Sequence, residues 1–127
     1  MYNFAGFTPG VEIGAREYQL DQGVLDAWIE LFPADANGDL MPAGMVAGVT
    51  ISAYSSILQP RPKGNVHGAQ RFEIKKLPKV GDQLTTSLSC LNKELKGARR
   101  WVYLKTETRF ANGDLAFSGL MTSLLAE

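Results

Sequence analysis

Imidazole, thiol and net charge are all scarce here, and each shortage removes a class of function. The 127 residues include one histidine, His67, and one cysteine, Cys90. A lone thiol makes no disulfide within the chain, and two such residues cannot assemble a metal centre of the usual Cys/His kind. No metal and no cofactor is therefore expected, and a reducing compartment fits. Thirteen basic side chains balance thirteen acidic ones. They are scattered, so the basic footprint that a nucleic-acid partner needs is missing. Residues 1–10 lack the basic start, apolar run and small-residue cleavage site of a secretory signal, which makes the cytoplasm the expected location.

Charge is also missing from the whole stretch Leu40 to Pro60, long enough on paper for a membrane span of about 20 residues. Pro42, Gly44, Gly48, Thr50, Ser52, Ser55 and Ser56 interrupt it, and the chain beyond alternates like a soluble antiparallel sheet. A buried helix, not a membrane span, is the expectation. The hydrophobic content of 45% suffices for a core, and the length suits one domain covering 1–127.

What is present follows a simple order. Val11, Ile13 and Ala15 alternate with Glu12, Gly14 and Arg16 up to Tyr18, a period of two that predicts a half-buried strand. Asp21 stands as an N-cap before a short helix over Gln22 to Phe32, with Val24, Trp28, Leu31 and Phe32 on one face. Pro33 and the run Ala34-Asp35-Ala36-Asn37-Gly38-Asp39 break it. Pro42 opens a second helix predicted to reach Leu58, about 25 Å long at roughly 1.5 Å per residue. Its apolar residues go right round the axis, so it should be buried on every side, most simply inside a curved sheet. Alternation then returns in four stretches, around Gln70 to Ile74, Leu84 to Cys90, Val102 to Phe110 and Leu115 to Leu125. Turns at Pro78 to Asp82, at Gly97 and at Asn112-Gly113-Asp114 make this read as a four-stranded meander.

That element order, with Val66-His67-Gly68-Ala69-Gln70-Arg71-Phe72-Glu73 and then Val80-Gly81-Asp82-Gln83-Leu84, resembles the N-terminal type of MaoC-like acyl dehydratase and hydratase domain. The similarity continues through Lys96-Gly97 and Asn112-Gly113-Asp114 to Leu125. The resemblance implies an α+β hot-dog fold, a five-stranded antiparallel sheet wrapped around a long central helix. It implies a homodimer, or a heterodimer with a related hot-dog chain. The implied ligand is an acyl thioester of CoA or of acyl carrier protein. The implied activity is that of a hydro-lyase, adding water to a 2-enoyl thioester or removing it from a 3-hydroxyacyl thioester.

Hydratases of this superfamily carry an Asp and a His in a motif of the form G-D-x-N-P-x-H just after the short helix. On this chain Asp35 and Asn37 take the Asp and Asn places, Gly38 replaces the Pro, and Leu40 falls where the His belongs. His67 is then the one imidazole a mechanism could use, a side chain suited to acid–base work near neutrality. Asp35, Asn37 and His67 are accordingly the candidate catalytic residues. Each has a plainer reading, the first two as turn formers and the histidine as a structural residue. Leu40, Gly44, Met45 and Gly48 are candidate substrate-binding positions. The start of the long helix offers unpaired N–H groups to a thioester carbonyl, and the two glycines, one turn apart, leave room.

Lys75, Lys76 and Lys79, or Arg99 and Arg100, are candidates to receive the phosphates of CoA, and Trp101 and Tyr103 to line an acyl tunnel. Ser55, Ser56 and Cys90 have no partnered base in the sequence, so covalent catalysis has no support. Two rival functions stay open. A non-catalytic acyl-thioester-binding subunit, whose partner carries the Asp and His, is favoured by Leu40. A hot-dog thioesterase is disfavoured because the long helix has no carboxylate.

Overall fold

A computed structural model describes residues 2–126. Strand β1 (Glu12–Gln19) leads through helix α1 (Gln22–Leu31) to helix α2 (Met45–Ile57), followed by strands β2 (Val66–Ile74), β3 (Gln83–Lys96), β4 (Arg99–Phe110) and β5 (Leu115–Leu125). All five strands form one antiparallel sheet in the order β1-β3-β4-β5-β2, curved around α2. This is the hot-dog arrangement that the resemblance implies.

The alternation of the second half dictates which side faces the helix. Leu84, Thr86, Leu88 and Cys90 of β3 and Val102, Leu104, Thr106 and Thr108 of β4 are all buried. They share the inner face across a continuous register from Leu84↔Phe110 to Cys90↔Leu104. Strands β3, β4 and β5 form a meander through tight turns at Gly97 and Gly113, both at positive φ. Strand β2 is not part of it. It pairs with β5 rather than β3, because the segment after Ile74 makes no hairpin and crosses the end of the sheet. That crossing is pinned by Met41 N–H to Pro78 O at 2.8 Å, Val80 N–H to Asp39 O at 2.9 Å and Gly81 N–H to Leu20 O at 3.0 Å.

Four other expectations need correcting. The face that α1 buries is Leu25 with half-buried Trp28 and Ile29, whereas Val24 and Phe32 are exposed and Leu31 is 74% exposed. Helix α2 starts at Met45, not Pro42, since the Met45 and Val46 N–H groups bond to the Pro42 and Ala43 carbonyls in a separate turn. Nor is α2 covered all round. Gly44, Gly48, Ser52 and Ser56, one turn apart, are exposed beside Ile51. The fourth concerns β1, where a bulge between Glu12 and Gly14 breaks the period of two. Beyond it Gly14, Arg16 and Tyr18 lie opposite inner-facing Leu88, Thr86 and Leu84, so Ala15 and Glu17 face outward.

The core has two apolar clusters. One gathers Tyr54, Leu58, Leu88, Val102, Leu104 and Met121; the other gathers Leu25, Met41, Val46, Val49, Leu84 and Phe117. Between them runs a polar seam of buried Thr50, Thr86, Thr106 and Thr108. Thr86 and Thr108 bond hydroxyl to hydroxyl at 2.7 Å. No helix among the described residues is long and apolar enough to cross a membrane.

Candidate functional site

The site grows from the break between the two helices. Asp21 caps α1, its Oδ1 accepting from Val24 N–H at 2.8 Å. Phe32 N–H closes the other end on Trp28 O at 2.8 Å. Pro33 then starts one 3-10 turn, Pro33–Asp35, that carries Asp35 back over α1. There Asp35 Oδ2 accepts a hydrogen bond of 2.8 Å from the indole Nε1–H of Trp28. Asn37 O accepts from Leu40 N–H at 3.2 Å. Gly38 between them has φ +58°, a left-handed conformation that proline, held near about −65°, cannot adopt. The glycine in the motif's proline place therefore gives this loop a shape of its own.

A cavity of about 350 Å³ opens against this loop, lined by Asp35, Asn37, Leu40, Met41, Ala43 and Leu77 among others. Asp35, Asn37 and Leu40 are thus brought together. Leu40 stands in the cavity wall, its backbone held by an antiparallel bridge to Lys79. At the α2 end the Met41, Met45 and Val46 N–H groups are all used. Ala43 and Gly44 have no backbone acceptor among the described hydrogen bonds, so a pair of donors free for a ligand lies just before the helix.

Met45 and Gly48 belong to a second, apolar cavity of about 200 Å³, with Tyr18, Val24, Trp28, Val49 and Ser52. Burial pushes the Tyr18 phenol above its usual pKa, and Asp21 adds to the shift. Gly48 has nothing within 4 Å of a notional Cβ, whereas one on Gly44 would lie 2.9 Å from Trp28 Cζ2.

His67 is not part of either cavity. It is the second residue of β2, opposite Ser123 at a bulge, while Leu77 of the first cavity follows the other end of the strand. At about 3.3 Å per residue, His67 and Ile74 alone are roughly 23 Å apart. One protomer therefore does not join His67 to Asp35. Among the cationic candidates, Lys76 and Lys79 line a third cavity of about 360 Å³ that also carries Asp82 and Asp114. Lys75 is paired with Glu73 at 2.7 Å, and Arg99 and Arg100 begin β4 far from the loop, Arg100 bonding Ala126 O. Trp101 and Tyr103 face outward, opposite Leu124 and Thr122, and line no inner tunnel. Among the described residues no group of three His, Cys, Asp or Glu could hold a metal ion.

Trp28 is the residue that sequence reasoning missed. Its spacing marked it as part of an apolar helix face, and no local pattern links an indole to a carboxylate seven residues on.

No family model matches this sequence, and no curated protein does. Solved structures do match. A MaoC-like dehydratase from Rhodospirillum rubrum aligns with a TM-score of 0.80 at 12% identity, over 95% of this chain and 94% of that one. The (R)-hydratase from A. caviae involved in PHA biosynthesis gives 0.68 at 19% identity, over 94% and 98%. The C-terminally truncated HadBC complex from Mycobacterium tuberculosis, a 3R-hydroxyacyl-ACP dehydratase, gives 0.68 at 15% identity, over 86% and 90%. Likeness at such low identity is likeness of fold, and this chain has the hot-dog fold of MaoC-like dehydratases and (R)-hydratases.

Proposed function

We propose that this chain is an acyl-thioester hydratase or dehydratase domain that supplies a carboxylate and a thioester-binding surface, and takes its imidazole from a second hot-dog chain. What supports this is that Asp35, Asn37 and Ala43, whose N–H has no backbone acceptor, border one cavity together with Leu40, the residue that falls in the motif's His position in the resembling hydratases. In this reading the thioester carbonyl accepts from the Ala43 and Gly44 N–H groups, which draws electrons from the neighbouring carbons and eases addition or loss of water. Asp35 orients the water, and the partner's imidazole moves the second proton. Lys76 and Lys79 lie on the same crossing loop as Leu77 and would meet the phosphates of CoA or a carrier's phosphopantetheine. The protein would work in the cytoplasm, where such thioesters are made and used.

The test is hydration of crotonyl-CoA by the purified chain, alone and mixed with a hot-dog chain bearing an intact motif. Little turnover alone and clear turnover in the mixture are expected, with Asp35→Asn abolishing the latter. Leu40→His should raise turnover of the chain alone, within the range of about 10²- to 10⁴-fold that a general acid–base group contributes. Inertness of the wild type, Leu40→His and the mixture alike would rule the reaction out.

The second reading, a non-catalytic binding subunit, is favoured by Gly38, whose left-handed turn and the adjoining Leu40 together depart from the hydratase loop. It requires acyl-CoA binding in calorimetry and a mixture whose turnover is indifferent to Asp35→Asn. A thioesterase reading has less support, because Met45–Ile57 carries no carboxylate.

A further inference from the structure

We propose that Trp28 is the positioning residue of this site, holding the Asp35 carboxylate at a fixed place relative to the free N–H groups before α2; this rests on the thioester reading above. Three contacts meet on its one rigid ring system. The indole Nε1–H donates to Asp35 Oδ2 at 2.8 Å. The six-membered edge lies on Gly44, where a Cβ would come within 2.9 Å of Cζ2 and 3.4 Å of Cη2. On its other flank the ring tilts against Phe32, centroids 4.9 Å apart, at the root of the loop that carries Asp35.

Two of these contacts explain something otherwise unexplained. Asp35 is exposed on a single turn of 3-10 helix, where a carboxylate would ordinarily sample several rotamers. A charge-assisted bond to a planar group with two torsions selects one of them. It also occupies Oδ2, leaving Oδ1 as the oxygen for a reacting water. Gly44 has φ −62°, which any residue adopts, so its glycine is required by the indole above it and not by its backbone. Residue 44 contributes one of the two unpaired N–H groups, so the same ring touches both the carboxylate and the donor pair that would face one thioester. Trp28 also lines the apolar cavity with Tyr18, Met45 and Val49, and so stands between that cavity and the one that holds Asp35.

The test separates the missing N–H from the missing ring. Trp28→Phe keeps an aromatic ring against Gly44 and Phe32 and deletes the donor. In the crotonyl-CoA assay of the mixed chains its turnover should fall by about tenfold, the worth of one hydrogen bond to a charged group, with KM changed by less than about twofold. A purely structural role predicts instead a lower melting temperature and unchanged turnover of the folded fraction, which would overturn the proposal. The indole proton gives a readout independent of turnover. In ¹⁵N spectra, where Trp101 supplies the internal control, Asp35→Ala should shift the Trp28 Nε1–H resonance and speed its exchange, and crotonyl-CoA should shift it in the wild type. A Trp28 resonance indifferent to both would overturn the proposal. An inert wild type whose Trp28 resonance still responds to crotonyl-CoA and to Asp35→Ala would remove the hydratase reading and leave the positioning of Asp35 standing.

Discussion

Cys90 sits on the inner face of β3, 1% exposed, and burial raises its thiol pKa against the opposing pull of Lys93 and of the Asn92 hydrogen bond. A thiol kept protonated and covered is a poor nucleophile. Native protein should therefore give no colour with a disulfide reagent at neutral pH, and one equivalent after urea unfolding. A native protein that reacts at once would show that β3 opens. The same shift has a thermodynamic sign. The folded pKa lies above the unfolded one, so the contribution is intact below the unfolded value and lost as pH rises through the folded one. The buried phenols of Tyr54 and Tyr18, both raised chiefly by burial, act in the same direction further up. Urea midpoints should fall between about pH 8 and about pH 10, and less steeply in Cys90→Ala. At this scale the sequence was readable where the cause is local. The Asp21 cap needs three residues, and the loop that ends α1 is written in Pro33 and Asn37-Gly38. The Trp28 to Asp35 bond was not readable, because it depends on how one 3-10 turn folds the loop back over α1.

The elements divide along the same line. Strands β3 to β5 bury alternate residues over seven positions or more, so alternation declares both the strand and its orientation. Strand β1 misled because a single bulged residue reverses every side chain beyond it, leaving Arg16 rather than Ala15 inward. Helix α2 misled for another reason. Gly44, Gly48, Ser52 and Ser56 count as neither wet nor apolar in a sequence pattern, and their small size conceals an open stripe. Substitutions should find that stripe. Val49→Asp buries an unpaired charge in the cluster around Leu84 and Phe117, at a cost on the order of 3–5 kcal/mol. Ser52→Asp, on the open side, should stay within about 1 kcal/mol in a monomeric background. Equal loss of soluble protein in both variants would mean that the stripe is covered. The seam between the clusters should be as exacting as the clusters. A Cβ on Gly119 would come within 2.7 Å of Thr106 Oγ1 and 3.1 Å of Gln70 Nε2. Gly119→Ala should cost about 1–3 kcal/mol by overpacking, with Thr106→Ala restoring part of it in urea titrations. No restoration by Thr106→Ala would place the strain elsewhere.

At the scale of the whole molecule, the sheet has two free edges, and the pairing of β2 with β5 decides what they are. A meander would have ended in β2 and β5; the observed order ends in β1 and β2. Unpaired edges are templates for association unless something blunts them. Strand β1 is blunted. It carries a bulge and the exposed charges of Glu12, Arg16 and Glu17, Arg16 among them on the helix-facing side of the strand, a common device against edge pairing. Strand β2 has nine residues, Val66–Ile74, with exposed Val66 and Ile74 at its two ends, its bulge confined to the start between His67 and Ala69, and charges only at Arg71 and Glu73. If two copies associate, β2 is the edge that can continue into a partner's sheet, and a symmetric pair would place β2 against β2. Light scattering at micromolar concentration should then return at least twice the chain mass of 13.9 kDa. Hydrogen exchange should show the outward amides of β2 protected in a concentration-dependent way, while those of β1 exchange freely. A mass near that of one chain would overturn the prediction, and protection of β1 in place of β2 would overturn its choice of edge.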